Sequence, residues 1–165
     1  MNCQTRRGFT LMETLVVVAI IGVLLLFAIP MLYRTLQSYY VKTAANQFAI
    51  QVRMARNLSV SQKVNYQIVI NSKNHLSDPN IYKIQFAPYG TVQAVPNIDT
   101  DIAENVQILN TAIFGAGRAT LTFDPRGRIT TAFGATPYLI EFQGPYLRYR
   151  VIVDSIGAVQ IEEAG

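Results

Sequence analysis

The hydrophobic residues of this chain are concentrated near its N-terminus. Residues 14–33 read TLVVVAIIGVLLLFAIPMLY, a run of twenty positions without a charged side chain. A helix rises about 1.5 Å per residue, so the run is long enough to cross the roughly 30 Å hydrocarbon core of a bilayer. It is longer than the apolar part of a secretory signal peptide, and no A-x-A cleavage site follows it. The pattern predicts a retained membrane helix, with a buried core helix as the alternative.

The helical periodicity continues beyond this run. Six apolar residues fall on one helix face at the spacing i, i+3, i+4, i+7, i+11 and i+14: Val41, Ala44, Ala45, Phe48, Val52 and Ala55. Polar residues occupy the other faces, and no Gly or Pro occurs between residues 31 and 62. The pattern predicts one helix over residues 9–62, bent at Pro30. Its first half would lie in the membrane, and its second half, residues 34–62, would pack the apolar stripe against a domain.

From residue 64 onward the period changes to two, and Asn, Pro and Gly separate the apolar segments. The predicted strands are residues 64–71, 81–87, 106–109, 119–123, 127–131, 138–143, 147–154 and 158–162. Short strands at this spacing, without further helical periodicity, are typical of an antiparallel sheet. The predicted fold class is therefore α+β, a long N-terminal helix packed on a C-terminal antiparallel β domain at residues 63–165.

Two segments of the β domain share the pattern F-x-P-x-G-x-[V/I], at residues 86–92 and 123–129. Proline presets φ at the second position of a β-turn and glycine suits the fourth, so each copy predicts a corner between two strands. We expect Phe123 to be buried and Gly127 to occupy the turn. A binding loop that exposes Arg126 and Arg128 is the alternative.

Composition excludes several kinds of chemistry. The chain is 50% hydrophobic and 15% charged, and 14 Lys+Arg against 10 Asp+Glu give a net charge of +4, a mild excess of base. The single cysteine, Cys3, excludes an internal disulfide and a cysteine-based zinc site. No G-x-S-x-G and no phosphate-binding glycine loop occurs, and the single histidine, His75, lies in a polar loop.

An acidic cluster is the remaining candidate for metal binding. Asp99, Asp101 and Glu104 lie close together in the sequence, but they lack the glycine and the distal glutamate of an EF-hand loop. We therefore expect a solvated loop there. The sequence predicts no enzyme, no cofactor and no metal site.

Glu13 is an acidic residue inside the apolar block GFTLMETLVVVAIIG. A carboxylate at bilayer depth costs about 2.5–3.5 kcal/mol on insertion scales, so Glu13 needs either the membrane interface or a cationic partner. The residue four positions earlier on the same helix face is Phe9. Cleavage between Gly8 and Phe9 would create a terminal ammonium there, which would pair with Glu13 of the same chain or of a neighbouring helix.

The segment R-G-F-T-L-x-E, followed by an uncharged apolar run, resembles the leader and first helix of type IV pilin-like proteins. The resemblance implies that a prepilin peptidase removes residues 1–8 and N-methylates Phe9, and that Glu13 and Pro30 serve assembly. It also implies a single pass of the bacterial inner membrane by residues 9–33, with the leader cytoplasmic and the C-terminal domain outside. The implied partners are other pilins or pseudopilins, an inner-membrane assembly platform and membrane lipid.

The corner at residues 123–127 is similar to one in the GspH/FimT family, which contains the H-type pseudopilins of type II secretion and the FimT-like minor pilins. FimT-like proteins are implicated in DNA uptake through a C-terminal Gly-Arg-x-Arg. This chain has Gly157-Ala158-Val159-Gln160 at the matching place, so the resemblance does not carry DNA binding over.

Two functions therefore remain open. One is a structural minor subunit of a type IV pilus or of a type II secretion pseudopilus. The other is a DNA-binding minor pilin for transformation, which would use Arg126, Arg128, Arg148 and Arg150. Convergence of these arginines and Arg118 on one face of the sheet would favour DNA, and scattered arginines would favour the structural role.

Overall fold

Among the residues that the structure describes, one helix precedes all the strands. The computed structural model describes residues 11–72, 81–86, 93–94, 100–101, 105–109, 117–130 and 137–164. Helix α1 spans Leu11–Gln62, and nine short strands follow within the described residues. The chain divides into two compact units, Met1–Leu36 and Gln37–Gly165. The α+β class predicted from the sequence is confirmed.

The first unit contains the apolar part of α1. Its described residues, from Leu11 to Leu36, are all exposed. Pro30 lies inside the helix, which continues on both sides of it. The prediction of one helix over residues 9–62 is confirmed from Leu11 onward, and residues 9 and 10 lie outside the described part of the chain.

The second unit begins with the amphipathic part of α1. All six residues of the predicted stripe are buried: Val41, Ala44, Ala45, Phe48, Val52 and Ala55. Phe48 lies at the centre of the stripe. Its ring meets Tyr82 edge-on, with centroids 5.1 Å apart, and lies tilted against Phe142 at 5.5 Å. Tyr82 and Phe142 belong to different sheets, so one helix face packs against both.

The strands form two antiparallel sheets. The first sheet contains β1 (Tyr66–Asn71), β2 (Ile81–Phe86), β3 (Gln93–Ala94), β4 (Thr100–Asp101) and β6 (Arg118–Phe123). Its order is β3-β2-β1-β6, and β4 also pairs with β2. The second sheet contains β5 (Gln107–Ile108), β7 (Tyr138–Gln143), β8 (Arg148–Val153) and β9 (Val159–Ala164), in the order β5-β7-β8-β9.

Alternation along β7 shows how the second sheet contributes to the core. Tyr138, Ile140 and Phe142 are buried, and the residues between them are partly exposed. A strand has a side-chain period of two, so one face covers the helix stripe while the other faces solvent. The buried residues of α1 and both sheets form one hydrophobic cluster.

The strand predicted at residues 127–131 is wrong in its described part. Residues 127–130 contain only an isolated bridge, between Ile129 and Phe123. The Thr130 N–H donates to the Thr122 carbonyl oxygen of β6 at 2.8 Å, and the Ile129 N–H donates to the Ser155 carbonyl oxygen at 2.9 Å. The segment therefore lies between β6 and the loop after β8 without forming a strand of its own. Residue 131 lies outside the described residues.

Candidate functional site

The apolar part of α1 is the first candidate site. A stretch of eighteen residues in this helix is apolar enough to cross a membrane, and none of it is buried within the chain. Contiguous exposed apolar surface of this extent marks contact with a membrane or with another protein. Glu13 lies in the first turn of the helix and is exposed. Gly8 and Phe9, the predicted processing site, lie outside the described residues.

The second candidate is the corner after β6, where Asp124 organises a tight turn. Its Oδ1 accepts hydrogen bonds from the backbone N–H groups of Arg126 at 2.9 Å and Arg128 at 2.8 Å. Its Oδ2 accepts from the Arg128 guanidinium, through Nε at 3.2 Å and Nη2 at 3.1 Å. The Asp124 N–H donates to the Arg128 carbonyl, and the Gly127 N–H donates to the Asp124 carbonyl. One carboxylate thus fixes both the backbone of the turn and the Arg128 side chain.

These contacts set the protonation of Asp124. The backbone N–H of Arg128 lowers the pKa of the Asp124 carboxyl below its ordinary value, because it stabilises the charged form. Desolvation opposes this shift, and the Arg128 guanidinium and the Arg126 N–H reinforce it. The turn is therefore built on an ionised aspartate.

The hairpin between β8 and β9 repeats the geometry of this corner. The Asp154 N–H donates to the Ala158 carbonyl at 2.9 Å, and the Gly157 N–H donates to the Asp154 carbonyl at 2.8 Å. Gly157 has φ of 73° and Gly127 has φ of 76°. Both turns therefore follow the pattern D-x-x-G-x, with the glycine in the left-handed region that other residues adopt at a cost. The second turn was not predicted from the sequence.

Arg56 of α1 lies between the two turns. Its Nε donates to the Gly127 carbonyl at 3.2 Å. A Cβ on Gly157 would lie 2.7 Å from Arg56 Cδ, and a Cβ on Gly127 would lie 3.2 Å from Arg56 Nε. The two glycines thus form a cradle for one arginine, which we call the glycine cradle. It joins α1 to the corner after β6 and to the β8–β9 hairpin.

The sequence signal that could have predicted the second turn is the D-x-x-G spacing that it shares with the corner after β6. The F-x-P-x-G pattern does not include it, because the second turn has Val153 and Ser155 in place of the phenylalanine and the proline. The first F-x-P-x-G copy lies almost entirely outside the described residues. In the second copy Phe123 is buried and Gly127 occupies the turn, as predicted.

The arginines predicted for DNA contact lie in separate parts of the second unit. Arg118 begins β6, whereas Arg126 and Arg128 lie in the corner after its other end. Five residues of strand separate Arg118 from that corner, about 17 Å of rise. Arg148 and Arg150 belong to β8, in the other sheet. The described arginines therefore do not converge on one face.

Two of these arginines are engaged by carboxylates. Arg128 pairs with Asp124 at 3.1 Å, and Arg150 Nη2 pairs with Glu141 Oε1 at 2.6 Å. The register places Arg150 between Glu141 on β7 and Glu162 on β9. On the other face of β8, desolvation raises the pKa of Tyr149, and Glu163 raises it further as a nearby charge and hydrogen-bond acceptor.

No group of three or more His, Cys, Asp or Glu residues is placed to hold a metal ion among the residues that the structure describes. Of the acidic cluster, Asp99 and Glu104 lie outside the described residues, and Asp101 is described in its backbone alone. His75 also lies outside them.

Comparison with known proteins identifies the leader and the fold. Residues 3–29, which include Gly8, Phe9 and Glu13, match the family described as the prokaryotic N-terminal methylation motif. No curated protein matches the sequence. The minor pseudopilin EpsH from the Vibrio cholerae type 2 secretion system matches in structure with a TM-score of 0.57 and 13% identity, covering 76% of this chain and 98% of that chain.

Two further structures agree. A second structure of EpsH has a TM-score of 0.58 and 12% identity, and covers 79% of this chain and 97% of that chain. The type IV minor pilin FimU from Pseudomonas aeruginosa PAO1 has a TM-score of 0.57 and 18% identity, and covers 76% of this chain and 90% of that chain. At these identities the likeness shows the fold, a long N-terminal helix followed by antiparallel sheets. The resemblance predicted from the sequence is confirmed.

Proposed function

We propose that this chain, which has a prepilin-type leader motif and a pilin-like fold, is a structural minor subunit. It would assemble through its N-terminal helix into a type IV pilus or a type II secretion pseudopilus. The observation that carries this proposal is the combination of the methylation motif at residues 3–29 with a fully exposed apolar helix leading into the β domain. A filament core would bury the surface that the isolated chain leaves exposed.

Processing is the first step of this function. Prepilin peptidase would cut between Gly8 and Phe9 and methylate the new amino group of Phe9. The protein would lie in the inner membrane before assembly, with the leader in the cytoplasm and the Gln37–Gly165 unit outside. Its partners would be the peptidase, other pilins or pseudopilins, the inner-membrane assembly platform and lipid.

DNA binding is the weaker candidate. The arginines that would contact DNA are distributed over two sheets and a corner, and Arg128 and Arg150 are engaged by carboxylates. A DNA site gains affinity from phosphate contacts by several cations, and neutralised cations contribute less to it. This arrangement supports the structural role.

Intact-mass measurement tests the proposal. Co-expression with a prepilin peptidase is expected to shorten the chain by residues 1–8 and to add one methyl group to Phe9. Gly8→Val is expected to block cleavage, because the leader would end in a branched side chain. Gly22→Ala is the matched control, since a Cβ at Gly22 meets nothing within 4 Å. Assembled filaments in which the subunit retains Met1–Gly8 would refute the proposal.

A further inference from the structure

One row of α1 residues lies against the corner after β6 and the β8–β9 hairpin. Arg53, Arg56 and Val60 follow one another at spacings of three and four, so they lie on one side of the helix. Arg53 Nη2 donates to the Val159 carbonyl oxygen at 3.3 Å, and Arg56 Nε donates to the Gly127 carbonyl oxygen at 3.2 Å. The row and both turns belong to the second unit.

The contacts at the two turn glycines place this row and the hairpin tip side by side. A Cβ on Gly127 would lie 3.0 Å from Val60 Cγ2 and 3.2 Å from Arg56 Nε. A Cβ on Gly157 would lie 2.7 Å from Arg56 Cδ, and Ile156 is the residue directly before Gly157. The Arg56 side chain therefore has Val60 and the corner on one side and the hairpin tip on the other.

We call Arg53, Arg56, Val60 and Ile156 the arginine patch. Val60 is 47% exposed and Ile156 is 56% exposed, so large apolar side chains reach solvent next to the two guanidinium groups. Arg53 is exposed and Arg56 is half-buried.

The two arginines of the patch keep hydrogen-bond donors that the fold does not use. Each donates one hydrogen bond to a backbone carbonyl, and within the described part of the chain neither pairs with a carboxylate. By contrast, Arg128 and Arg150 pair with Asp124 and Glu141. The Arg56 Nε bond fixes the guanidinium while both of its η nitrogens stay available to a ligand.

We propose that the arginine patch binds a carboxylate side chain, flanked by apolar side chains, on a segment of a partner protein. A guanidinium binds a carboxylate through two parallel N–H···O bonds, and the two η nitrogens of Arg56 offer that pair of donors. Because Arg56 is already fixed by the Gly127 carbonyl, it loses less conformational freedom on binding than a solvated arginine would. Apolar contacts to Val60 and Ile156 would exclude water from the ion pair, which strengthens it.

This composition favours a protein segment over a nucleic acid. A nucleic acid site gains its affinity from many phosphate contacts, and the patch has two arginines between two apolar side chains. An acidic residue with apolar neighbours matches both the charge and the apolar surface. The inference goes beyond assembly through the N-terminal helix, and it requires neither the membrane span nor cleavage at Gly8.

Peptide probes test the combination of charge and apolar contact. The full-length protein in an uncharged detergent would be titrated into the dye-labelled peptide GLELELG, and binding would be followed by fluorescence anisotropy. The peptide GSESESG keeps the carboxylates but loses the apolar side chains, and GLQLQLG does the reverse. We expect GLELELG to bind about tenfold more tightly than either.

Substitutions in the patch locate the binding. Arg56→Gln and Arg53→Gln should each weaken the binding of GLELELG, Arg56→Gln by about tenfold. Ile156→Ser should weaken GLELELG about threefold and leave GSESESG unchanged. Arg53 and Ile156 are exposed, so their variants carry the test if Arg56→Gln disturbs the glycine cradle. The matched control is Arg148→Gln, which removes the same charge from an exposed position of β8 outside the patch and should bind GLELELG as the wild type does.

Four results would overturn the proposal. Equal affinity for GLELELG and GSESESG would identify a general anion site, and equal affinity for GLELELG and GLQLQLG would identify a purely apolar one. A thymidine trinucleotide that displaces GLELELG more effectively than the unlabelled peptide would make nucleic acid the ligand. Binding that is unchanged in the patch variants, or weakened as much by Arg148→Gln as by Arg53→Gln, would place the peptide elsewhere on the protein.

Discussion

Asp124 shows how one side chain determines a turn in this fold. Its Oδ1 accepts hydrogen bonds from the backbone of the corner, and its Oδ2 accepts hydrogen bonds from the Arg128 guanidinium. The proline and the glycine predicted the corner, but they did not predict which donors each Asp124 oxygen binds. The D-P-R-G-R order contains the relevant acid, and only the folded backbone shows which donors surround it.

The depressed pKa of Asp124 predicts a pH-dependent stability. A carboxyl whose folded pKa is lowered contributes stability above its unfolded pKa, about 3.9, and loses it as pH falls through the folded value. Asp124→Asn keeps one acceptor oxygen but loses the charge. We expect it to lower the melting temperature at neutral pH and to match the wild type more closely as pH falls below about 4. Thermal unfolding of the full chain in detergent, measured from neutral pH to about pH 3, checks this.

Arg128→Gln is the companion variant for this measurement. It removes the guanidinium but keeps the Arg128 backbone N–H, which is the largest cause of the lowered Asp124 pKa. Most of the decrease in melting temperature at acidic pH should therefore persist in Arg128→Gln. If Arg128→Gln abolished it as completely as Asp124→Asn, the ion pair and not the backbone would control the titration.

Among the elements, those with strong periodicity were the predictable ones. The buried stripe of α1 was predicted residue by residue, because a helix that faces a core must repeat apolar positions every three to four residues. Strand β7 was predicted at its observed bounds, Tyr138–Gln143, since it alternates cleanly. Strands β3 and β4 contain two residues each, too few for any period to register. The strand predicted at 127–131 was wrong in its described part because the turn that Asp124 closes with Arg128 includes residues 127 and 128, and only Ile129 then forms a bridge, to Phe123.

The glycine cradle predicts a coupling between α1 and the β8–β9 hairpin. Gly157→Ala should destabilise the fold, because alanine at φ of 73° costs about 1–2 kcal/mol and its Cβ would press on Arg56 Cδ. In an Arg56→Ala background the contact with Arg56 disappears, and the backbone cost remains together with a 3.3 Å approach of the new Cβ to the Gly127 carbonyl oxygen. A double-mutant cycle on the full chain in detergent, followed by chemical unfolding, measures the difference. Additive effects of Gly157→Ala and Arg56→Ala would show that the cradle does not couple the two elements.

For the molecule as a whole, the two units present contrasting surfaces. The Gln37–Gly165 unit contains one cluster of buried apolar side chains, whereas the described helix residues before it are all exposed. The described residues of the motif, 11–29, belong to the exposed part. Folding of the β domain and docking of the N-terminal helix are therefore expected to respond to different substitutions.

Substitutions of Glu13 test whether docking of the N-terminal helix is separate from folding of the β domain. In a filament core, water is lost, and a buried charge without its partner costs about 3–5 kcal/mol. If cleavage before Phe9 leaves an ammonium there, as proposed, the ammonium of a neighbouring subunit would offset that cost only at one axial stagger. The pair would then select register as well as affinity. Glu13→Ala and Glu13→Gln should each reduce incorporation into filaments about tenfold or more, since about 1.4 kcal/mol corresponds to a factor of ten.

The measurement compares the amount of the subunit in sheared filaments with the amount in the membrane. Glu13→Gln is the more informative variant, because it removes the charge and keeps the size of the side chain. Membrane insertion and the melting temperature of the Gln37–Gly165 unit should be unchanged in both variants, which separates docking from folding. Reduced insertion would instead indicate that the carboxylate acts at the membrane interface. Incorporation of both variants at the wild-type ratio would remove the register role, because a core that tolerates an unpaired Phe9 ammonium does not select its stagger by charge.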